Sequence, residues 1–221
     1  MGLFEKNADK VNVKKNLFYA AKIFILAFVF MTTTTPRANA YMVKFKEDWY
    51  KLYHIHYQQY PDDCIENIYW LEKAAAADFC NPLFANAGIT TEKQWEKYRY
   101  LFQMHINLKL IEQHLRLGRT YDKKAAYFYD APWKEEYLRN LEKCLSCYNA
   151  GLYYWQEAKN WAEKANVREF TFLSITAKQN WEDERERIKT GELNYEKILR
   201  REINRVEKVR AEILAMDSKT Y

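Results

Sequence analysis

The sequence predicts an all-α fold: stacked long helices in hairpins, either tetratricopeptide-like or as an irregular helical bundle. Two observations carry this. Only five glycines and four prolines occur in 221 residues, too little turn chemistry for a sheet protein. Apolar residues also recur at spacings of three and four over long stretches, while β-branched runs are few.

Each element then follows from local signals. A first helix is expected over 43–59 and stops at Pro61, because a residue before proline is pushed out of the helical region. Asp62 or Asp63 caps a second helix carrying Ile65, Ile68, Tyr69 and Leu71, which runs out in the alanines 74–77. A loop at Cys80-Asn81-Pro82 leads to a short helical turn before Gly88. Thr91, with Gln94 three positions on, forms a capping box. It opens a third helix expected to end at Gly118, a suitable C′ residue. Tyr98, Leu101, Phe102, His105, Leu108, Ile111 and Leu115 place one buried face on it. Asp130-Ala131-Pro132 starts a fourth helix reaching Asn166, since proline is tolerated in a first turn. The segment from Asn149 to Gly151 is expected to weaken its middle. A fifth helix covers 167–189 and ends at Gly191, and a sixth covers 193–216. Leu199, Ile203, Val206, Val209, Ile213 and Met216 give the sixth an apolar stripe for antiparallel packing or a partner helix.

Residues 1–40 read differently. Lys6, Lys10, Lys14 and Lys15 precede an apolar run from Ile23 to Met31, followed by Pro36 and Ala38-Asn39-Ala40. That order is a signal peptide with cleavage before Tyr41, leaving 41–221 as a single helical domain in the periplasm. The alternative is a retained anchor, against which stands Lys22 and a run shorter than the roughly 20 apolar residues a span needs. An exported protein works without ATP, NAD or a reducing thiol pool. The formal charge of +5 comes mostly from this leader, with Lys22 and Arg37 adding to its lysines. The remainder is near neutral, with acids and bases interspersed, which argues against nucleic acid as a partner.

Aromatics make up 17% of the chain, with eighteen tyrosines and seven tryptophans. At helical spacing they chiefly fill gaps between packed helices, with a protein interface or a sugar-stacking surface as alternatives. The connector holding Tyr121, Tyr127, Phe128, Tyr129 and Trp133 is too aromatic for an ordinary solvated loop and is the candidate interface, rimmed by Lys123, Lys124 and Asp130. A faint echo of tetratricopeptide units runs through 115–125 and 152–165, but Trp70, Trp95, Trp161 and Trp181 are unequally spaced and show no period of about 34.

Reaction chemistry is thinly represented. Cys144-Leu-Ser-Cys147 lies one turn apart in mid-helix with no strand before it, unlike a redox motif, and is expected to be structural. Cys64 and Cys80, each at a helix–proline-loop junction, are candidates for a disulfide, with buried free thiols as the default. His54, His56, His105 and His114 have no metal-ligand partner at suitable spacing. His105 is expected in the core with its hydrogen bonds satisfied, and His114 beside a helix C-terminus at Gly118. Carboxylates at Glu135, Glu136, Glu182, Glu184 and Glu186 sit among bases, as on solvated faces. No nucleophile elbow or phosphate loop is present, so no enzyme, cofactor or metal is expected.

The segments 77–85, 94–102 and 107–110, the run Tyr127-Phe128-Tyr129-Asp130-Ala131-Pro132-Trp133, and 181–184 with 190–196 together resemble a spirochaete family of small exported helical proteins. The resemblance spans most of the chain after the leader. It implies a periplasmic place at the flagellar motor, in the collar that surrounds the basal body and supports stator assembly. Tetratricopeptide-like members occur in that collar, and the resemblance implies no catalytic residue. The expectation is a helical scaffold or adaptor whose partners are other subunits of a periplasmic assembly, with membrane association only through an uncleaved leader. A cell-wall or sugar-binding module is the alternative.

Overall fold

The protein's computed structural model describes residues 42–86, 88–124, 133–166 and 177–217. The leader, the connector residues Tyr127, Phe128 and Tyr129, and the expected start of a helix at 167 lie outside the described residues. Six α-helices make up the described chain, all within one compact unit, Val43–Tyr221. They are α1 (Lys46–Gln59), α2 (Cys64–Ala76), α3 (Glu92–Asp122), α4 (Lys134–Lys164), α5 (Ala177–Thr190) and α6 (Tyr195–Ala215), with a 3₁₀ turn at Pro82–Phe84. The fold is all-α with helices packed in hairpins, and no described residue is in a strand.

The caps follow the sequence signals. Asp63 accepts from the Glu66 N–H at 3.2 Å to open α2, and Asn194 accepts from Lys197 N–H at 3.0 Å to open α6. The α3 capping box is complete: Gln94 N–H donates to Thr91 Oγ1 at 3.2 Å, and Thr91 N–H to Gln94 Oε1 at 3.3 Å. Thr91→Ala should therefore cost about 1 kcal/mol in urea unfolding while leaving the α3 core packing unchanged. Gly191 closes α5 in the left-handed region at φ 77°, which favours glycine there.

Two expectations about glycine are corrected. α3 does not end at Gly118 but continues to Asp122. A Cβ at Gly118 would lie 2.4 Å from Tyr148 Cε1, so this glycine serves a close approach of α3 to α4 rather than a helix stop. α4 likewise runs unbroken through Gly151, where a Cβ would meet Leu199 Cδ2 at 2.9 Å. A local helix cost of about 1 kcal/mol is outweighed by packing along a long helix.

α3 and α4 form the central antiparallel pair. Gly118 meets Tyr148, His114 stacks on Tyr154, and Tyr100 meets Trp161, in reversed order along the two chains. α6 spends its apolar stripe on α4, burying Leu199, Val206 and Ile213. The α1–α2 hairpin covers another side of α3. As a result α3 is buried not on one face but around its middle, where Met104, His105, Ile106, Asn107 and Leu108 are consecutive buried residues.

Two buried charged neighbours, Lys46 and Glu47, tie α1 to the end of α2 and the segment beyond it. Lys46 Nζ donates to the carbonyls of Ala74 and Ala75 at 2.6 and 2.7 Å, satisfying acceptors that a helix C-terminus leaves open. Burial lowers the Lys46 ammonium to about 8. Glu47 accepts from Cys80 N–H at 2.9 Å and from the Tyr98 hydroxyl at 3.2 Å.

Candidate functional site

The expected interface is only partly within the described residues. Tyr121 is half-buried against the core, with Lys124 Nζ and Lys143 Nζ each 5.5 Å from its ring centre. Trp133 is 51% exposed at the entrance to α4. Next to it, Lys134 Nζ donates to the carbonyls of Leu214 and Met216 at 3.0 and 2.7 Å, closing the C-terminal end of α6 onto the start of α4. Leu214 is itself 49% exposed. An indole and a leucine thus stand at one end of the α4–α6 pair, with Lys123 and Lys124 exposed at the adjoining end of α3. The other aromatics divide: Tyr98, Phe102 and Tyr148 are fully buried, whereas Tyr60, Tyr69 and Tyr153 are exposed.

The four cysteines are buried free thiols. The candidate disulfide between Cys64 and Cys80 is corrected in favour of the free thiols taken as the default, because Cys64 opens α2 and Cys80 lies beyond its far end. At about 1.5 Å of rise per residue the helix holds them far outside the roughly 7 Å that a disulfide can bridge. Cys80 Sγ instead donates to the Asn81 carbonyl at 3.3 Å. Burial pushes Cys144 and Cys147 up to about 11, which disfavours the reactive thiolate. Among the described residues no group of three His, Cys, Asp or Glu is placed to hold a metal ion.

A second region was not legible as a site. A cleft of about 970 Å³ opens between α1, α3 and α5, and Tyr50, His105, Trp181 and Glu184 form its base. His105 is only 6% exposed and is held at both nitrogens. Its Nδ1 lies 2.6 Å from Glu184 Oε2, and its Nε2 lies 2.7 Å from the Tyr50 hydroxyl. A carboxylate only accepts, so Nδ1 donates to Glu184; in the neutral ring Nε2 then accepts from Tyr50. Burial, with Tyr53 and Glu184 nearby, raises the Tyr50 phenol well above its ordinary value, so Tyr50 stays protonated. The Trp181 ring lies 5.2 Å from His105 and stacks on Phe102 at 4.9 Å. Lys97, buried on α3, pairs with Glu182 on the same helix as Trp181.

His105 is thus a satisfied core histidine, as its place on the apolar face predicts. His114 departs from expectation: it stacks on Tyr154 at 5.4 Å rather than capping a helix end, and burial lowers it toward the neutral form. The cleft has no local signature in the sequence, because its hydrogen-bonded residues Tyr50, His105 and Glu184 are separated by 55 and 79 residues, and nothing local marks Glu184 as facing inward. No described helix is long and apolar enough to cross a membrane.

A family model described as a domain of unknown function, DUF8513, matches residues 93–216, which is α3 through α6. No curated protein and no solved structure matches the chain. The α1–α2 hairpin, with Tyr50 and the Lys46–Glu47 latch, lies before the matched segment. With more than half its length covered, and its central helix pair inside the match, the chain belongs to the DUF8513 family.

Proposed function

We propose that the protein is a periplasmic helical scaffold or adaptor that joins protein subunits, with the collar of a flagellar motor as its assembly. The observation that carries the reading is the exposed pair Trp133 and Leu214 at the junction of α4 and α6. Large apolar side chains at a rigid helix end, rimmed by lysines, match the anatomy of interface cores. The leader pattern supports export, and the run from Tyr127 to Trp133 belongs to the segments that resemble the spirochaete family.

Copurification of native protein with motor components tests the assembly, and Trp133→Ala tests the surface. The variant should weaken partner binding by about 2 kcal/mol or more, roughly 30-fold, while the melting temperature barely changes. Unchanged partner binding per folded molecule would remove Trp133 from the interface. Copurification with cell-wall material instead of motor proteins would support the sugar-binding alternative.

A further inference from the structure

The geometry of the α1–α3–α5 cleft points to a second site. We propose that it binds a small zwitterion with an apolar middle, a short peptide with free termini or a free amino acid. Helical spacing puts Lys51 and His54 on one face of α1, and Asp183 and Glu186 on one face of α5, with Arg187 and Lys109 also in the lining. Glu186 pairs with Arg185, Arg187 with Glu192 and Lys109 with Glu112, which leaves Lys51 on α1 and Asp183 on α5 as charges without a described partner. Lys51, His54 and Asp183 make no hydrogen bond or ion pair with any described residue. Lys51 and Asp183 line the same cleft without forming an ion pair with each other. A ligand carrying an ammonium at one end and a carboxylate at the other leaves both charges paired.

The base is built to receive the ammonium end. His105 occupies Glu184 Oε2, which fixes the carboxylate's orientation, while Oε1 makes no hydrogen bond to a described residue. That oxygen and Asp183 then accept from the ligand's ammonium. Ile55, 46% exposed on α1, and the edge of Trp181 offer apolar contact to the middle of the ligand. The volume of about 970 Å³ is larger than one amino acid needs and suits a peptide of a few residues. Neither Trp133 nor Leu214 lines this cleft, and the proposal does not rest on the scaffold reading.

Calorimetric titration of the purified protein tests the proposal with four probes: trialanine, N-acetyl-trialanine, trialanine amide and leucine. Trialanine should bind, and blocking either terminus should weaken it at least about tenfold. Stronger binding of leucine than of trialanine assigns the site to free amino acids, and the reverse to peptides. Lys51→Met and Asp183→Asn should each weaken the better probe by about tenfold, with the melting temperature unchanged because both side chains are exposed. Both variants should keep their Trp133-dependent partner binding. Equal affinity for free and blocked peptides overturns the proposal, as does absence of binding by every probe up to about 10 mM. Protection of Lys51 and Asp183 by a protein partner, with no small zwitterion bound, overturns it in favour of a docking groove.

Discussion

Raised to between about pH 10 and 11, the protein is expected to unfold in one cooperative step. Burial lifts Cys80 to about 12, lifts Cys144 and Cys147 to about 11, and raises Cys64. It also raises the phenols of Tyr50, Tyr53, Tyr98, Tyr148, Tyr154 and Tyr195 well above their ordinary value. A group whose folded value exceeds its unfolded one stabilises fully below the unfolded value and loses that contribution as pH rises. The loss therefore begins near the ordinary thiol value of 9.0 and steepens past the ordinary phenol value of 10.0. Each group that stays protonated in the fold but ionises in the unfolded chain removes about 1.4 kcal/mol per pH unit. Several such groups exhaust the 5–15 kcal/mol typical of a domain within about one unit. Lys46 acts in the opposite sense, since its folded value of about 8 lies below the ordinary 10.5, and raising pH between the two relieves a cost. One ammonium does not offset so many thiols and phenols. Helix content by circular dichroism and tyrosinate absorbance should change together. A gradual rise in tyrosinate with helix content intact would sink the prediction.

Gly118→Ala should destabilise the protein by about 2 kcal/mol, although the same change in an exposed helix gains about 1 kcal/mol. The added methyl would sit 2.4 Å from Cε1 and 2.9 Å from Cδ1 of Tyr148. That ring is fully buried and has no free space to move into, so the helices must separate or the ring must leave its rotamer. Gly118→Val should cost more. In a Tyr148→Ala background the ring is gone, and Gly118→Ala should become neutral or stabilising. Urea unfolding of the four variants gives the coupling directly. A stabilising Gly118→Ala in the wild-type background would mean that α3 and α4 are not in contact there.

Local signals were legible wherever the physics is local. Thr91 with Gln94, Asp63, Pro61 and Gly191 mark helix ends, because caps and turns depend on residues a few positions apart. The stripe on α6 was legible because one neighbour, α4, takes it. α3 was misjudged because helices cover it from several sides, which destroys the one-faced periodicity a sequence displays. Gly118 carries the same code whether it ends a helix or admits a partner's ring, and only the position of Tyr148 separates the two. Nothing local marks Lys46 and Glu47 as inward-facing, yet both are buried and bind groups about 30 to 50 residues away. The candidate interface rests on composition; of its residues Tyr121 packs partly buried against the core and Trp133 is exposed. The cleft was invisible because its chemistry exists only after α1, α3 and α5 meet.

The manner in which α5 is held has a dynamic consequence. α3 keeps fourteen of its residues buried and shares its longest contact with α4, so its amides belong to the part of the molecule that opens last. α5 rests on α3 through Trp181, the Lys97–Glu182 pair and the His105–Glu184 bond, and is held beside α4 by a smaller contact and by Arg185 donating to Asn166 Oδ1 at 2.9 Å. Breaking these few attachments frees α5 without uncovering the α3–α4 contact. Sub-global opening should therefore release α5 at a lower free energy than the central pair. Because α5 is one wall of the cleft, the width of that cavity is set by the most separable helix, and anything that bridges it would slow amide exchange in α5 first.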